Sequence, residues 1–197
     1  MTRNVAILIF DEVEVLDFCG PFEVFGVAGL RSGGERPFYV YTVAEKAGPI
    51  SARNGLSVNP NFTFADAPQA DILLVPGGQG TRREIQNETL LAWVREQAGR
   101  VELLLSVCTG ALVLAKAGLL EGLSATTHFQ AFDELAALAP TTTLCPDQRY
   151  VDNGRIVLSA GVSAGIDMAL YIVGRLLGDE QANETARHMQ YDYWLRK

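Results

Sequence analysis

The chain has 197 residues, 48% hydrophobic, 9% aromatic and 20% charged, which is enough apolar material for a buried core and too much for a disordered or fibrous protein. Sixteen Lys and Arg against 23 Asp and Glu give a formal charge of −7, which opposes binding to the phosphates of nucleic acid or to an anionic membrane. Three cysteines, Cys19, Cys108 and Cys145, form no close pair, so neither a disulfide framework nor a thiolate zinc site is expected and a reducing cytoplasm suits them.

In chain order, the first apolar run, Val5 to Phe10, reads as a strand, too short for a signal peptide or for the ~20 residues that span a bilayer. After it, Asp11, Glu12 and Glu14 read as a solvated loop, and Asp17 stands between Leu16 and Phe18 just before a helix that Pro21 can begin. A second buried strand covers Phe38 to Ala44. Arg53-Asn54-Gly55, flanked by Ile50-Ser51-Ala52 and Leu56-Ser57-Val58, predicts a small hairpin, since Asn-Gly favours a tight turn. Ile72 to Val75 is the next strand and runs into Pro76-Gly77-Gly78-Gln79-Gly80. Glu88 to Ala98 predicts a helix with Asn87 as N-cap and Leu90, Leu91 and Val94 on its inner face.

Val101 to Val107 is again continuous and apolar, and it leads into Cys108, Thr109-Gly110 and an Ala/Leu-rich helix. A second Asn-Gly, Asn153-Gly154, separates Tyr150-Val151 from a strand over Ile156 to Ala160 and predicts an antiparallel pair at the sheet edge. Ser163 to Leu177 is a helix capped by Gly178, and Asp179 starts another that continues through Ala186 towards Trp194. Continuous rather than alternating apolar strands, separated by helices, imply an open parallel α/β sheet with right-handed crossovers. No repeat, low-complexity tract or Pro-rich linker divides the chain.

The residue with most chemistry in it is Cys108. A sharp strand-to-helix turn exposes a side chain at the carboxyl end of the sheet, where open α/β folds place ligands, and a helix N-terminus favours a thiolate; the expected thiol pKa is below the free value of about 8.5. The glycines of 76–80 allow backbone N–H groups to approach a substrate. Asp17, an acid within an apolar stretch, is a candidate for proton transfer, with helix capping as the plainer alternative. His128, after Ala125-Thr126-Thr127, is a candidate base or orienting group, the alternative being a packed, hydrogen-bonded imidazole. Cys19 reads as a structural cysteine, and His188 as facing solvent or a subunit. Two histidines without ligand spacing argue against a catalytic metal.

Taken together, Leu16-Asp17-Phe18-Cys19-Gly20-Pro21, Pro76-Gly77-Gly78, Ser106-Val107-Cys108-Thr109-Gly110, Ala125-Thr126-Thr127-His128 and Ser163-Ala164-Gly165-Ile166-Asp167-Met168-Ala169-Leu170 resemble the DJ-1/PfpI (ThiJ) superfamily. The likeness covers nearly the whole chain. It implies a flavodoxin-like, glutamine-amidotransferase-type fold, an open parallel sheet with helices on both faces, as one domain over residues 1–197. The motifs look most like the isonitrile hydratase branch, where Thr follows the elbow Cys and the early acid is Asp. The resemblance makes Cys108 the nucleophile, Asp17 the acid/base, Thr109 a neighbour touching the site, Gly78 an N–H donor and Asp167 structural.

The expected activity is hydration of an organic isonitrile to an N-substituted formamide through a Cys108 thioimidate, with no cofactor. The alternatives are a glyoxalase-like enzyme, disfavoured by Thr109 in place of His, and a redox-sensing or transcription-regulator-related domain, since the same domain occurs fused to AraC-type DNA-binding modules. Expected partners are a small-molecule substrate and a second copy of the chain, with no direct nucleic acid and no membrane. The dimer is expected partly because Tyr191, Tyr193 and Trp194 cluster where little core is left to enter.

Overall fold

The computed structural model describes residues 2–30 and 36–192. The chain runs β1 (Arg3–Leu8), α1 (Val15–Val27), β2 (Phe38–Ala44), β3 (Ile50–Ser51), β4 (Ser57–Val58), β5 (Phe62–Thr63), β6 (Ile72–Val75), α2 (Thr81–Glu84), α3 (Glu88–Ala98), β7 (Leu103–Val107), α4 (Gly110–Lys116), β8 (Ser124–Ala125), α5 (Phe132–Leu138), β9 (Thr143–Leu144), β10 (Tyr150–Asp152), β11 (Ile156–Ser159), α6 (Ala164–Leu177) and α7 (Asp179–His188).

All five continuous apolar runs become neighbouring strands of one seven-stranded sheet, ordered β10-β11-β7-β6-β1-β2-β5. Every pairing is parallel except β10 with β11. The register sets Val5 beside Val40 on one side and Ile72 on the other. Because helices cover both faces, these strands have no polar face: α1, α6 and α7 pack together on one side, and α3, α4 and α5 on the other. Val5, Ile7, Leu74 and Leu105 are fully buried; each side chain contributes ~1.5–3 kcal/mol by leaving water.

Local signals placed the smaller elements. Asn87 caps α3 by accepting from Thr89 N–H at 3.1 Å and Leu90 N–H at 3.2 Å. Both Asn-Gly sites turn antiparallel pairs: Asn54 and Gly55 have φ of 63° and 81° between β3 and β4, and the second joins the edge strand β10 to β11.

Three expectations need correction. Helix α1 begins at Val15, so Asp17 lies in its first turn and Pro21 inside it; proline's missing N–H leaves the Asp17 carbonyl without its i+4 donor. The loop over 11–14 does expose Asp11 and Glu12, but Val13 is buried, Glu14 is half-buried and the backbone is tied to the β3–β4 hairpin and to the glycine loop. Helix α7 ends at His188, and Gln190 turns at a φ of 52°. Tyr191 folds back onto the core, where its hydroxyl donates to Asp167 Oδ1 at 3.1 Å. It is therefore not part of an exposed aromatic cluster; Tyr193 and Trp194 lie outside the described residues. His188 is exposed. Among the described residues no helix is long and apolar enough to cross a membrane.

Candidate active site

Strands β1, β6, β7 and β11 are mutually parallel and adjacent, apart from their order in sequence, so their carboxyl ends open onto one edge of the sheet. That edge receives Asp17 after β1, Gly77 and Gly78 after β6, Cys108 after β7 and Val162 after β11. The chain reverses direction across the sheet at β1, with β2 on one side and β6 on the other, which opens a crevice at this point.

Cys108 occupies the elbow between β7 and α4 with φ at 56°, a left-handed conformation costing about 1–3 kcal/mol for a non-glycine residue. Backbone hydrogen bonds oppose that cost. Its N–H donates to Ser159 O at 3.1 Å and Ala160 O at 3.2 Å, and the buried Thr127 hydroxyl donates to its carbonyl at 2.9 Å. The N–H groups of Thr109 and Val162 point at the sulfur. Val162 itself has φ at 48°, strained for a β-branched residue. No local sequence signal marks Val162, because the hydrogen bond spans from β7 to the β11–α6 connection.

The thiol does not follow the expectation of a lowered pKa. Burial pushes it up to about 12, the Asp17 charge pushes the same way, and the amides of Thr109 and Val162 oppose both without winning. Helix α4 has only seven residues, and its terminal dipole does not offset the loss of water around the sulfur.

Asp17 is fully buried. Its Oδ2 accepts from Gly77 N–H at 3.0 Å, which is an inter-element bond and not a helix cap, and Oδ1 has no partner. Burial raises its carboxyl from 3.8 to about 7, against the lowering effects of Gly77 and of the Cys108 thiol. Near neutral pH the pair therefore consists of a protonated thiol beside a carboxylate poised to accept a proton, which is the arrangement general base catalysis requires.

Gly77 and Gly78 make close approaches that no Cβ permits. On Gly77 a Cβ would stand 2.5 Å from Thr109 N, and on Gly78 2.4 Å from both Glu12 O and Glu14 N. The Gly78 N–H is already engaged: it donates to Thr109 Oγ1 at 3.0 Å, within a knot that includes Thr81 Oγ1. The amides directed at the Cys108 sulfur are thus those of Thr109 and Val162, while Gly78 fixes Thr109.

The acid-rich loop closes one wall. Glu12 N–H donates to Ser51 O at 2.7 Å, Arg53 N–H to Val13 O at 2.9 Å, Glu14 N–H to Gly77 O at 2.9 Å and Gly80 N–H to Glu12 O at 3.3 Å. These bonds bring Arg53 to the mouth of a cleft of about 90 Å³ lined by Glu14, Gly78, Arg82, Cys108, Thr109, His128 and Val162, among others. His128 lies against Gly161, and its Nδ1 accepts from Gln130 N–H at 3.3 Å. Burial, then Arg82 and Arg53, hold its pKa below the ordinary value, so the imidazole is neutral with its proton on Nε2. Cys19 is exposed, not packed as a structural cysteine, and Cys145 is half-buried; neither lines the cleft. Asp167 pairs with Arg149, which also donates to Ser163 Oγ at 3.1 Å, tying the loop before β10 to the start of α6.

An α/β sheet carrying an elbow cysteine and a buried acid at its carboxyl edge defines a class of protein. The chain belongs to the DJ-1/PfpI family, whose model matches residues 3–175. It is 35% identical over 192 residues to isonitrile hydratase of Pseudomonas putida, covering 97% of this chain and 79% of that protein. It is 28% identical over 190 residues to the HTH-type transcriptional regulator GbdR of Pseudomonas aeruginosa, spanning 96% of this chain but about half (51%) of the regulator. The crystal structure of a ThiJ/PfpI family protein from Pseudomonas syringae superposes with a TM-score of 0.88 at 29% identity, over all of this chain and 78% of that one.

Proposed function

We propose that the protein is a cysteine-dependent hydratase adding water to the terminal carbon of an organic isonitrile. The observation that carries this reading is the buried Asp17 beside Cys108, the member of the pair that lines one small cleft; the 35% identity to an isonitrile hydratase supports the substrate class. In the first step the Cys108 sulfur bonds to the isonitrile carbon while Asp17 takes the thiol proton and delivers it to that carbon, giving the thioimidate Enz–S–CH=N–R. Asp17 then accepts a proton from water as its oxygen bonds to the same carbon, and passes the proton to nitrogen. Collapse of the tetrahedral adduct breaks the C–S bond, forms the formyl C=O and returns the hydroxyl proton to sulfur through Asp17. One water is consumed and R–NH–CHO released. The cleft holds only the reacting end of such a molecule.

The same reading has the enzyme working as a cytoplasmic homodimer. A monomer mass across micromolar concentrations in light scattering would overturn the dimer. To test the activity, the purified protein and Cys108→Ala are incubated with small alkyl and aryl isonitriles and with methylglyoxal, and formamide and lactate are measured. Formamide from the wild type alone supports the hydratase. Lactate alone would replace it with a glyoxalase, and neither product would favour a ligand- or redox-sensing role, to which the match with GbdR lends support.

A further inference from the structure

The cleft above Cys108 is not an apolar slot. Its rim is built from Glu14, Arg53, Gln79, Arg82, His128 and Gln130. Two guanidiniums stand close enough to the imidazole to disfavour its protonation, and they outweigh the opposite effect of Glu14, in a protein whose overall charge is −7. The two arginines differ in how far they are already used. Arg82 is held by Glu134 through two bonds of 2.5 and 3.0 Å, and its remaining nitrogen lies 3.4 Å from Gly78 O and Thr81 Oγ1. Arg53 is half-exposed, and its side chain makes an ion pair of 3.5 Å from Nη1 to Glu14. Its backbone is fixed by the bond to Val13 O, and its side chain lines the cleft.

A planar guanidinium with unused donors matches a carboxylate in a two-point contact, which a neutral alkyl or aryl group cannot make. We infer that this site takes substrates carrying a carboxylate, or a group of similar charge, a few atoms from the reacting carbon, with Arg53 as the specificity-determining residue. Glu14 pairs with Arg53 only at 3.5 Å and yields to the substrate. The inference rests on Cys108 being the reacting thiol, but it concerns recruitment and not hydration.

The test separates the two. Rates of Cys108 alkylation by iodoacetate and by iodoacetamide are measured at low ionic strength for the wild type, Arg53→Gln, Arg53→Lys and Glu14→Gln. Arg53→Gln is expected to lower the iodoacetate-to-iodoacetamide ratio by about tenfold. Arg53→Lys keeps it within about threefold of the wild type, and Glu14→Gln raises it. Added salt shrinks the differences. In parallel, an isocyano carboxylate and its methyl ester are compared as substrates, the acid being preferred and the preference falling in Arg53→Gln. A ratio unmoved by Arg53→Gln overturns the inference even if both isonitriles are hydrated. A ratio that responds while neither isonitrile is hydrated keeps the anion site and removes the hydratase.

Discussion

The amide of Gly77 donates to Oδ2 of Asp17 over 3.0 Å, and the absence of a side chain on that glycine makes the approach possible. An added Cβ would stand 2.9 Å from Oδ2 and 2.5 Å from the backbone nitrogen of Thr109. Since Thr109 is backbone at the start of α4, it cannot simply rotate away. Gly77→Ala is expected to destabilise the protein by about 1–3 kcal/mol, the usual range for overpacking, and to lower turnover by displacing Asp17 from Cys108. Chemical denaturation and isonitrile turnover on the same preparation check both effects.

Asp17→Asn is expected to move two readouts of Cys108 in opposite directions. Turnover falls by roughly 10²-fold or more because the proton acceptor is gone. Iodoacetamide labelling of Cys108 at mildly alkaline pH becomes faster, because the Asp17 charge is one of the effects holding the thiol up near 12. Slower labelling in the variant would remove the like-charge coupling between the two groups.

The same carboxyl links stability to pH. Its proton is held more tightly in the folded state, at about 7, than at the ordinary 3.8. The associated stabilisation is complete below pH 3.8 and is lost as the pH rises through 7, roughly 4 kcal/mol at most. Urea unfolding from pH 4 to 8 is expected to show Asp17→Asn gaining on the wild type across this window. Parallel curves would mean that Asp17 titrates normally.

For the roles of the other side chains, Cys108→Ala is expected to abolish turnover and Cys108→Ser to do nearly as badly, since a hydroxyl is scarcely ionised. His128→Ala costs less, because the imidazole is neutral and its Nδ1 is occupied by Gln130 N–H. An inactive His128→Ala beside an active Asp17→Asn would replace the proposed mechanism with a Cys–His dyad.

Asp167 acts at a distance from this chemistry. It holds Arg149 and the hydroxyl of Tyr191, the residue that brings the chain back after α7. Asp167→Asn is expected to cost about 1–3 kcal/mol and to expose the segment after His188 to proteolysis, leaving the rate of Cys108 labelling unchanged. Altered labelling would assign Asp167 to the site.

The main strands, helices and turns were legible because each is marked by features carried by a single segment: Ile72–Val75 is apolar on both faces, Asn87 precedes a periodic helix, and Asn54-Gly55 suits a turn that needs two positive φ angles. Cys108 and Asp17 stood out for the same reason, each being chemically odd within an apolar run. Val162 and Arg53 did not, since one is an ordinary β-branched residue and the other an ordinary hairpin cation until β11 and the β3–β4 hairpin bring them to the cleft. The thiol pKa was misread because local sequence reveals the helix start but not the depth of burial that outweighs it. Tyr191 was misread because nothing near it in sequence announces Asp167.

The four backbone bonds among the acid-rich loop, the hairpin and the glycine loop have a kinetic consequence. Arg53 cannot swing out without releasing Val13, and Glu14 cannot leave without releasing Gly77, whose own N–H holds Asp17. Solvent deuterium is then expected to reach the amides of Glu12, Glu14, Arg53 and Gly80 in one shared opening event rather than at four independent rates. The hairpin that carries Arg53 and the glycine loop that holds Asp17 are expected to open together.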